Sequence, residues 1–440
     1  MKKISILGAG ESGVGAAILA KQQGEEVWVS DAGKIQDRFR SVLDSNHIPF
    51  EEGRHTKETF FEADIIVKSP GIPDTVPLIR QLKEKGKAVI SEIEYASMHS
   101  SARIIAITGS NGKTTTTALT GHLLQQAGVD VQVGGNIGKS FAWQVATSNP
   151  ECFVLEVSSF QLDNIQHFRP DIALLLNITP DHLDRYEWSL KKYGQAKFRI
   201  AENQRPEDVF IYHLNDPETN KQFRAHELAA RKWGFSLEQQ EGSKAWVEEN
   251  HLKLGEFEAD FTRMNLLGPH NQLNSLAALL AVEAYGASLE KSRRGLETFA
   301  PIPHRMEPVA EIEGVRYIND SKATNVESVY YALKSMDRQL IWMVGGIDKG
   351  NEYSGIQQLV EDKVREIIVI GNNIDTYRKA FDKPIHQVFT MKDAIDKARE
   401  LANEGETVLL SPACSSFDLF NNFEDRGNQF RDIVRQMISE

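Results

Sequence analysis

The chain has 440 residues, 41% of them apolar and 25% charged, with a formal net charge of −12. That length exceeds one compact core and suggests about three domains. The acidic balance argues against nucleic acid or an anionic membrane as main partner, since both reward basic surface. Cys152 and Cys414 lie far apart and form no C-x-x-C pattern, which points away from disulfides and zinc and towards a reducing, cytoplasmic compartment. No run approaches the ~20 apolar residues of a membrane helix.

In chain order, "KKISILGAGESGVGAAILAKQQGEEVWVSD" predicts a strand, a glycine turn, a helix and a second strand ending at Asp31. "MKKISILGAG" turns to glycine too early for a signal peptide and reads as the first strand. Gly8, Gly10 and Gly13 open the helix, and an acid closes the next strand. That is the setting of a dinucleotide fingerprint, with phosphates on the helix N-terminus and the acid on a ribose hydroxyl. The same glycines equally serve a tight strand–helix turn that binds nothing. A further strand, "ADIIVKSPGI", ends in a turn at Pro70 and Gly71, and "EYASMHSSARI" lacks periodicity and reads as a linker.

A second segment opens at "RIIAITGS" and continues through "FVLEVSSFQL" and "DIALLLNITPDHLD". Each is a β-rich run ending in polar residues, as at the carboxyl edge of a buried sheet. From about Asp208 to Phe261 short alternating pieces predict an antiparallel excursion, and "HNQLNSLAALLAVEAYG" predicts a helix closed by Gly286. The third segment has strands at "QLIWMVGG", "REIIVIGN" and "ETVLLSPA" with helical stretches between. The alternation predicts an α/β protein with mainly parallel sheets in three domains, 1–93, 94–299 and 300–440.

The chemistry concentrates in "IIAITGSNGKTTTT". Gly109 and Gly112 let the backbone curl so that successive N–H groups of Gly109, Ser110, Asn111 and Gly112 can face phosphate oxygens. Lys113 opens a helix, where the dipole is already positive, a poor place for a cation unless an anion is bound. Thr114 or Thr115 offers a hydroxyl for Mg²⁺, and Glu156 at the end of "FVLEVSS" offers a carboxylate above the sheet. His182 and Lys197 are uninformative from spacing alone. "YINDSKATN" and "LLSPACSSFDLFNNFEDRGNQF" place polar residues directly after apolar strands, where open α/β sheets bind ligands. Phe417, Phe420 and Phe423 fall at helix spacing and read as core.

"TGSNGKTTT" resembles the shortened phosphate loop of the Mur ligases and folylpolyglutamate synthetases, three-domain ATP-dependent amide-forming enzymes. "GGNIG", "LEVSSFQL", "NITPDHLDRY", "YGQAKFRI", "GPHNQLNSLAA", "PHRME", "NDSKATN" and "GGIDKG" follow in the family's order. The C-terminal "SPACSSFDLFNNFEDRGNQF", with "SPGI" and "SEIE", is similar to the D-glutamate-adding branch. The resemblance implies a Rossmann-like N-terminal domain for the UDP-sugar substrate, a central P-loop-type ATPase domain and a Rossmann-like C-terminal domain for the amino acid. It implies UDP-MurNAc-L-Ala, D-glutamate and ATP as substrates, two Mg²⁺ ions, and a monomer in a bacterial cytoplasm.

Carried over by position, Gly109, Ser110, Asn111, Gly112, Lys113, Thr114 and Thr115 hold the ATP phosphates, and Asn271, His304, Arg305 and Asp320 serve adenine, phosphates and ribose. Thr114, Glu156, His182 and Lys197 serve the metals, Lys197 as a carbamate formed with CO₂. Glu11, Ser12, Asp31, Gly71, Asn136, Ser158 and Gln161 meet the UDP substrate, while Lys322, Thr324, Lys349, Ser416 and Phe423 form the D-glutamate pocket. Lys113, His182, Lys197 and Lys322 are the implied catalytic groups. One departure stands out: Ala32 and Gly33 follow Asp31 where the family has Asp-Thr-Arg-like residues for uridine and diphosphate, which shifts those contacts towards Lys34 or the Glu11–Ser12 turn. Read without the resemblance, the first glycine turn suits a nicotinamide dehydrogenase and the second a GTPase or kinase.

Overall fold

A computed structural model describes residues 1–300, 302–348 and 350–438. The first sheet contains β1 (Lys3–Leu7), β2 (Glu26–Asp31), β3 (Phe50–Glu52), β4 (Ile65–Lys68) and β5 (Ala88–Ser91). Its order is β3-β2-β1-β4-β5, all parallel. The second contains β6 (Arg103–Thr108), β7 (Val131–Gly135), β8 (Cys152–Glu156), β9 (Ile172–Leu175), β10 (Val209–His213), β11 (Arg231–Phe235), β12 (Ser243–Glu248), β13 (His251–Leu254) and β14 (Phe257–Asp260), in the order β14-β13-β12-β11-β10-β9-β6-β8-β7. Its central strands β6, β8 and β9 carry near-continuous apolar runs and are buried almost throughout, as in a parallel sheet covered on both faces.

The excursion expected over Asp208–Phe261 is only half antiparallel. β10 and β11 extend the parallel sheet, and reversal begins at the β12-β13-β14 meander. Short strands with one exposed side alternate in sequence whichever way they pair, so the pattern could not separate the two cases.

The third sheet contains β15 (Glu307–Ile312), β16 (Val315–Asn319), β17 (Leu340–Val344), β18 (Val364–Ile370), β19 (Ile385–Val388) and β20 (Thr407–Leu410). The order is β15-β16-β20-β17-β18-β19, parallel except for the β15–β16 hairpin. The chain divides into two compact units. One holds Met1–Arg263 with Leu273–Thr298, and the other Met264–Gln272 with the chain from Phe299 onwards.

Within the first unit, one apolar core joins the first two sheets. It runs from Ile4, Val14 and Val29 through Ile93 and Tyr95 to Phe141, Phe153 and Leu155. Gly15 of the helix Glu11–Gln22 lets the helix Phe141–Thr147 approach closely; a Cβ there would lie 2.2 Å from Ser140 Oγ. "EYASMHSSARI", expected to be a linker, begins inside the buried helix Glu92–Ser97. Its two glutamates are polar in the sequence yet buried, because each meets backbone donors. Glu94 accepts the N–H groups of Gln166, His167 and Phe168 (2.7–3.0 Å), and Glu92 accepts that of Ala142.

Burial and the charge of nearby Glu11 push the Glu92 carboxyl up to about 7, and its Oε2 has no hydrogen-bond partner. The unfolded carboxyl titrates near 4.5, so between these values the folded chain holds the extra proton and stability falls as pH rises. Glu92→Gln keeps the acceptor for Ala142 and removes the titration. Its Tm is expected to exceed wild type at alkaline pH and to converge with it on acidification; parallel Tm–pH curves would contradict this.

Candidate active site

The phosphate loop lies between β6 and the helix Lys113–Gln126. Gly112 caps that helix with φ +83°, a left-handed conformation, and a Cβ there would sit 2.4 Å from Asn274 Oδ1. Both the backbone and the neighbour therefore require glycine. At Gly109 an added Cβ would meet Leu176 Cβ at 3.0 Å.

Two lysines converge on one carbonyl of this loop. Lys113 Nζ donates to the Gly109 and Ser110 carbonyls at 2.7 and 2.8 Å, and Lys197 Nζ donates to the same Gly109 carbonyl at 2.8 Å. Lys197 is only 1% exposed and stands 4.5 Å over the Tyr193 ring. Burial, with Lys113 adding to it, holds its ammonium pKa well below the ordinary lysine value, against the opposing pull of Asp181, Glu156 and Asp163. The Lys113 ammonium, with the Lys197 amine on the same carbonyl, makes this mouth attractive to anions.

Glu156 ends β8 beside the loop and is buried. Its Oε1 accepts Asn136 Nδ2 at 2.9 Å, while the buried Oε2 has no hydrogen-bond partner among the described residues. An orphaned carboxylate oxygen near a phosphate loop fits a divalent cation that is completed by hydroxyl and phosphate oxygens. Among the described residues no three His, Cys, Asp or Glu side chains gather to hold a metal ion. Thr114 and Thr115 lie buried in the first turn of the helix behind Gly112. His182 has φ +50°, with Nε2 3.6 Å from Asp181 Oδ2 and its ring 5.2 Å from that of Phe160.

Of the residues expected at the UDP substrate, Glu11 and Gly71 make contacts that bridge the elements of the first two sheets. Glu11 Oε1 accepts the Ser140 N–H at 3.3 Å, Ser12 follows it in the same helical turn, and the Gly71 carbonyl accepts Arg185 Nη1 at 3.2 Å. Ser158 and Gln161 cap each other at the start of the short helix Ser159–Leu162. Asp31 binds backbone with both oxygens, Ala9 N–H at 2.7 Å and Gly33 N–H at 2.8 Å. Its carboxylate therefore fastens the glycine turn, an arrangement unlike the ribose-reading acid of a dehydrogenase. Gly13 is required by packing, since a Cβ there would lie 1.8 Å from the Gly8 carbonyl oxygen.

In the second unit, loops at the carboxyl ends of β16, β17 and β20 gather the remaining residues. Asp320 is buried, accepting Ser411 Oγ at 2.9 Å and the Met306 N–H at 3.2 Å, and burial raises its carboxyl to about 7. Asn319 Nδ2 lies 3.0 Å from each of His304 Nδ1, Glu307 Oε2 and the Gly427 carbonyl. Lys322 donates its N–H to the His304 carbonyl, and its Nζ stands 5.0 Å over the Phe423 ring. Arg305 adjoins His304, Thr324 lies in the turn after β16, Ser416 is buried after β20, and Asn271 Nδ2 donates to the Leu267 carbonyl at 2.8 Å. Lys349 falls outside the described residues.

Phe417 departs from the core reading: it is 69% exposed, because the C-terminal helix begins only at Phe423. Sequence reasoning missed Arg426, which is fully buried and forms no ion pair with a carboxylate among the described residues. Its guanidinium binds Ser321 Oγ and the carbonyls of Ser321, Gly345 and Cys414, fastening all three loops. Burial lowers its pKa to about 10. The signal available was an arginine between apolar helix positions in "FEDRGNQF".

Family models match three consecutive stretches: the MurD N-terminal domain over residues 3–76, the Mur ligase middle domain over 107–282, and the Mur ligase glutamate ligase domain over 304–414. A UDP-N-acetylmuramoylalanine–D-glutamate ligase from Bacteroides fragilis is 48% identical over 444 residues, covering 99% of this chain and all of the relative. The chain belongs to the Mur ligase family. The Porphyromonas gingivalis ligase of the same name is 48% identical over 440 residues, with 98% of each chain covered. Among solved structures, the MurF ligase from Thermotoga maritima in complex with ADP superposes with a TM-score of 0.64 at 16% identity, covering 94% of this Mur ligase and 96% of that chain. UDP-N-acetylmuramate–alanine ligase MurC from Thermotoga maritima gives 0.61 at 19% identity with full coverage of both. At such identities the likeness shows the shared α/β fold.

Proposed function

We propose that this Mur ligase joins D-glutamate to UDP-N-acetylmuramoyl-L-alanine, converting ATP to ADP and phosphate, in the synthesis of peptidoglycan precursors. Full-length 48% identity to ligases of that name, under a MurD-type N-terminal domain, carries the choice of substrates. The convergence of Lys113 and Lys197 on the phosphate loop supports the use of ATP.

The alanyl carboxylate is a poor electrophile, because its leaving group would be oxide. Attack of that carboxylate on the γ-phosphorus expels ADP and leaves an acyl phosphate. The D-glutamate amine then attacks the acyl carbon, the tetrahedral intermediate expels phosphate with the C–O electron pair, and the nitrogen loses a proton. Lys113 meets phosphate charge at the helix mouth, and the surrounding loop N–H groups hold the transferring group in line. Mg²⁺, held by Thr114 and Glu156 and on a second side by His182 and carbamylated Lys197, would offset the repulsion between the two anionic reactants. Asn136, hydrogen-bonded to Glu156, and Gly71, whose carbonyl accepts Arg185, would meet the sugar arm of the acceptor. Lys322, Thr324, Ser416 and Phe423, with Lys349, serve the carboxylates of D-glutamate, and Asn271, His304, Arg305 and Asp320 serve the nucleotide.

The reaction belongs in a bacterial cytoplasm and needs one chain. Two free buried cysteines suit a reducing compartment, and among the described residues no helix is long and apolar enough to cross a membrane. Mass spectrometry of the product tests the reaction class. Gain of one glutamyl residue with no retained phosphorus is expected. A stably phosphorylated acceptor would identify a kinase, and a glutamylated folate a different ligase.

A further inference from the structure

The turn that follows β9 runs alongside the phosphate loop and bonds to it residue by residue. Leu176 N–H donates to the Thr108 carbonyl and Ser110 N–H to the Asn177 carbonyl, both at 3.0 Å. Ser110 Oγ meets both the carbonyl and the N–H of Thr179 at 2.9 Å. The Asn177 side chain goes further. Its Oδ1 accepts the Asn111 N–H at 2.8 Å, and its Nδ2 donates to the Asn111 carbonyl at 3.1 Å.

A primary amide can donate to and accept from the backbone of a single residue at once, without charge. Both peptide groups flanking Asn111 are thereby held. These are the peptides that set where the next N–H groups of the loop point, and a phosphate site depends on that direction. A hydroxyl could keep only part of the clamp. A carboxylate would keep the acceptor, lose the donor, and place a negative charge beside the bound phosphates.

We propose that Asn177 is a positioning residue for the nucleotide, its amide clamp on Asn111 presetting the phosphate loop. The inference rests on the reading that this loop binds ATP. The test is titration of the full-length protein and its Asn177→Ala and Asn177→Asp variants with MgADP, beside KM values for UDP-MurNAc-L-Ala. Asn177→Ala is expected to weaken ADP roughly tenfold or more, the factor that two neutral hydrogen bonds represent. Asn177→Asp should weaken it further despite its near-identical shape. The acceptor KM and the far-UV circular dichroism should stay within about twofold of wild type, because the Asn177 amide holds the nucleotide loop and bonds to none of the residues expected at the UDP substrate.

Wild-type ADP affinity in Asn177→Ala would overturn the proposal. So would Asn177→Asp being milder than Asn177→Ala, or parallel loss of both ligands, which a purely structural role would give. Failure of the wild-type protein itself to bind ADP would instead remove the ATP reading, and this inference with it.

Discussion

Lys113→Ala is expected to abolish ATP-dependent amide formation. In the structure this ammonium closes the phosphate loop on two carbonyls, Gly109 and Ser110, at hydrogen-bond distance. A γ-phosphate entering the loop offers it a full negative charge in their place. One such pair at ~4 Å and an effective dielectric near 20 is worth about 4 kcal/mol before desolvation, roughly a thousandfold in kcat/KM for ATP. A solvated surface pair would give only about 0–1 kcal/mol. The difference matters, because undiminished turnover in the variant would return Lys113 to the surface class and remove the phosphate-loop assignment. The measurement is steady-state phosphate release at saturating acceptor and amino acid. Wild-type far-UV circular dichroism of the variant would show that the fold is intact.

Lys197→Ala is expected to be nearly inactive and partly rescued by short carboxylic acids such as formate or acetate. The side chain is buried, its Nζ lies beside the Gly109 carbonyl, and burial favours its neutral amine. Only the neutral amine attacks CO₂. The new N–C bond yields a carbamate and releases one proton, turning a buried neutral amine into a carboxylate-like ligand near Glu156. Because the folded-state pKa is depressed, the reactive form is available at lower pH than for an ordinary lysine. Alanine leaves a cavity that a small carboxylate can enter, restoring the anion without the chain that carried it. Full activity of Lys197→Ala without added acid would remove the metal role. No rescue by any small acid would leave the lysine as an ammonium that closes the loop.

Much of this site was legible in the residues. Gly112 and Lys113 announce themselves because a left-handed cap and a cation at a helix mouth are both costly without a ligand. Glu156 followed from its place at a strand end. The supporting residues were not legible. Asn177 and Asn319 are ordinary asparagines until the fold shows both ends of each amide engaged. Arg426 looks like a surface residue on an amphipathic helix, and only the meeting of three strand ends over it makes it a buried anchor. Glu94, at the head of the stretch read as linker, was misread for the same reason, since the donors that allow its burial lie about 72 residues away. Asp31 is the converse case: its spacing fits a ribose reader, yet one oxygen holds the glycine turn at Ala9 and the other the Gly33 N–H of its own turn. Spacing along the chain records which groups are available, and the long-range partners decide what each is free to do.

The account stands most directly on phosphate release from ATP in the presence of UDP-MurNAc-L-Ala and a panel of single amino acids. Stimulation by D-glutamate, with little response to L-glutamate, L-lysine or diaminopimelate, is the predicted result. Stimulation by L-lysine or diaminopimelate and not by D-glutamate would contradict it.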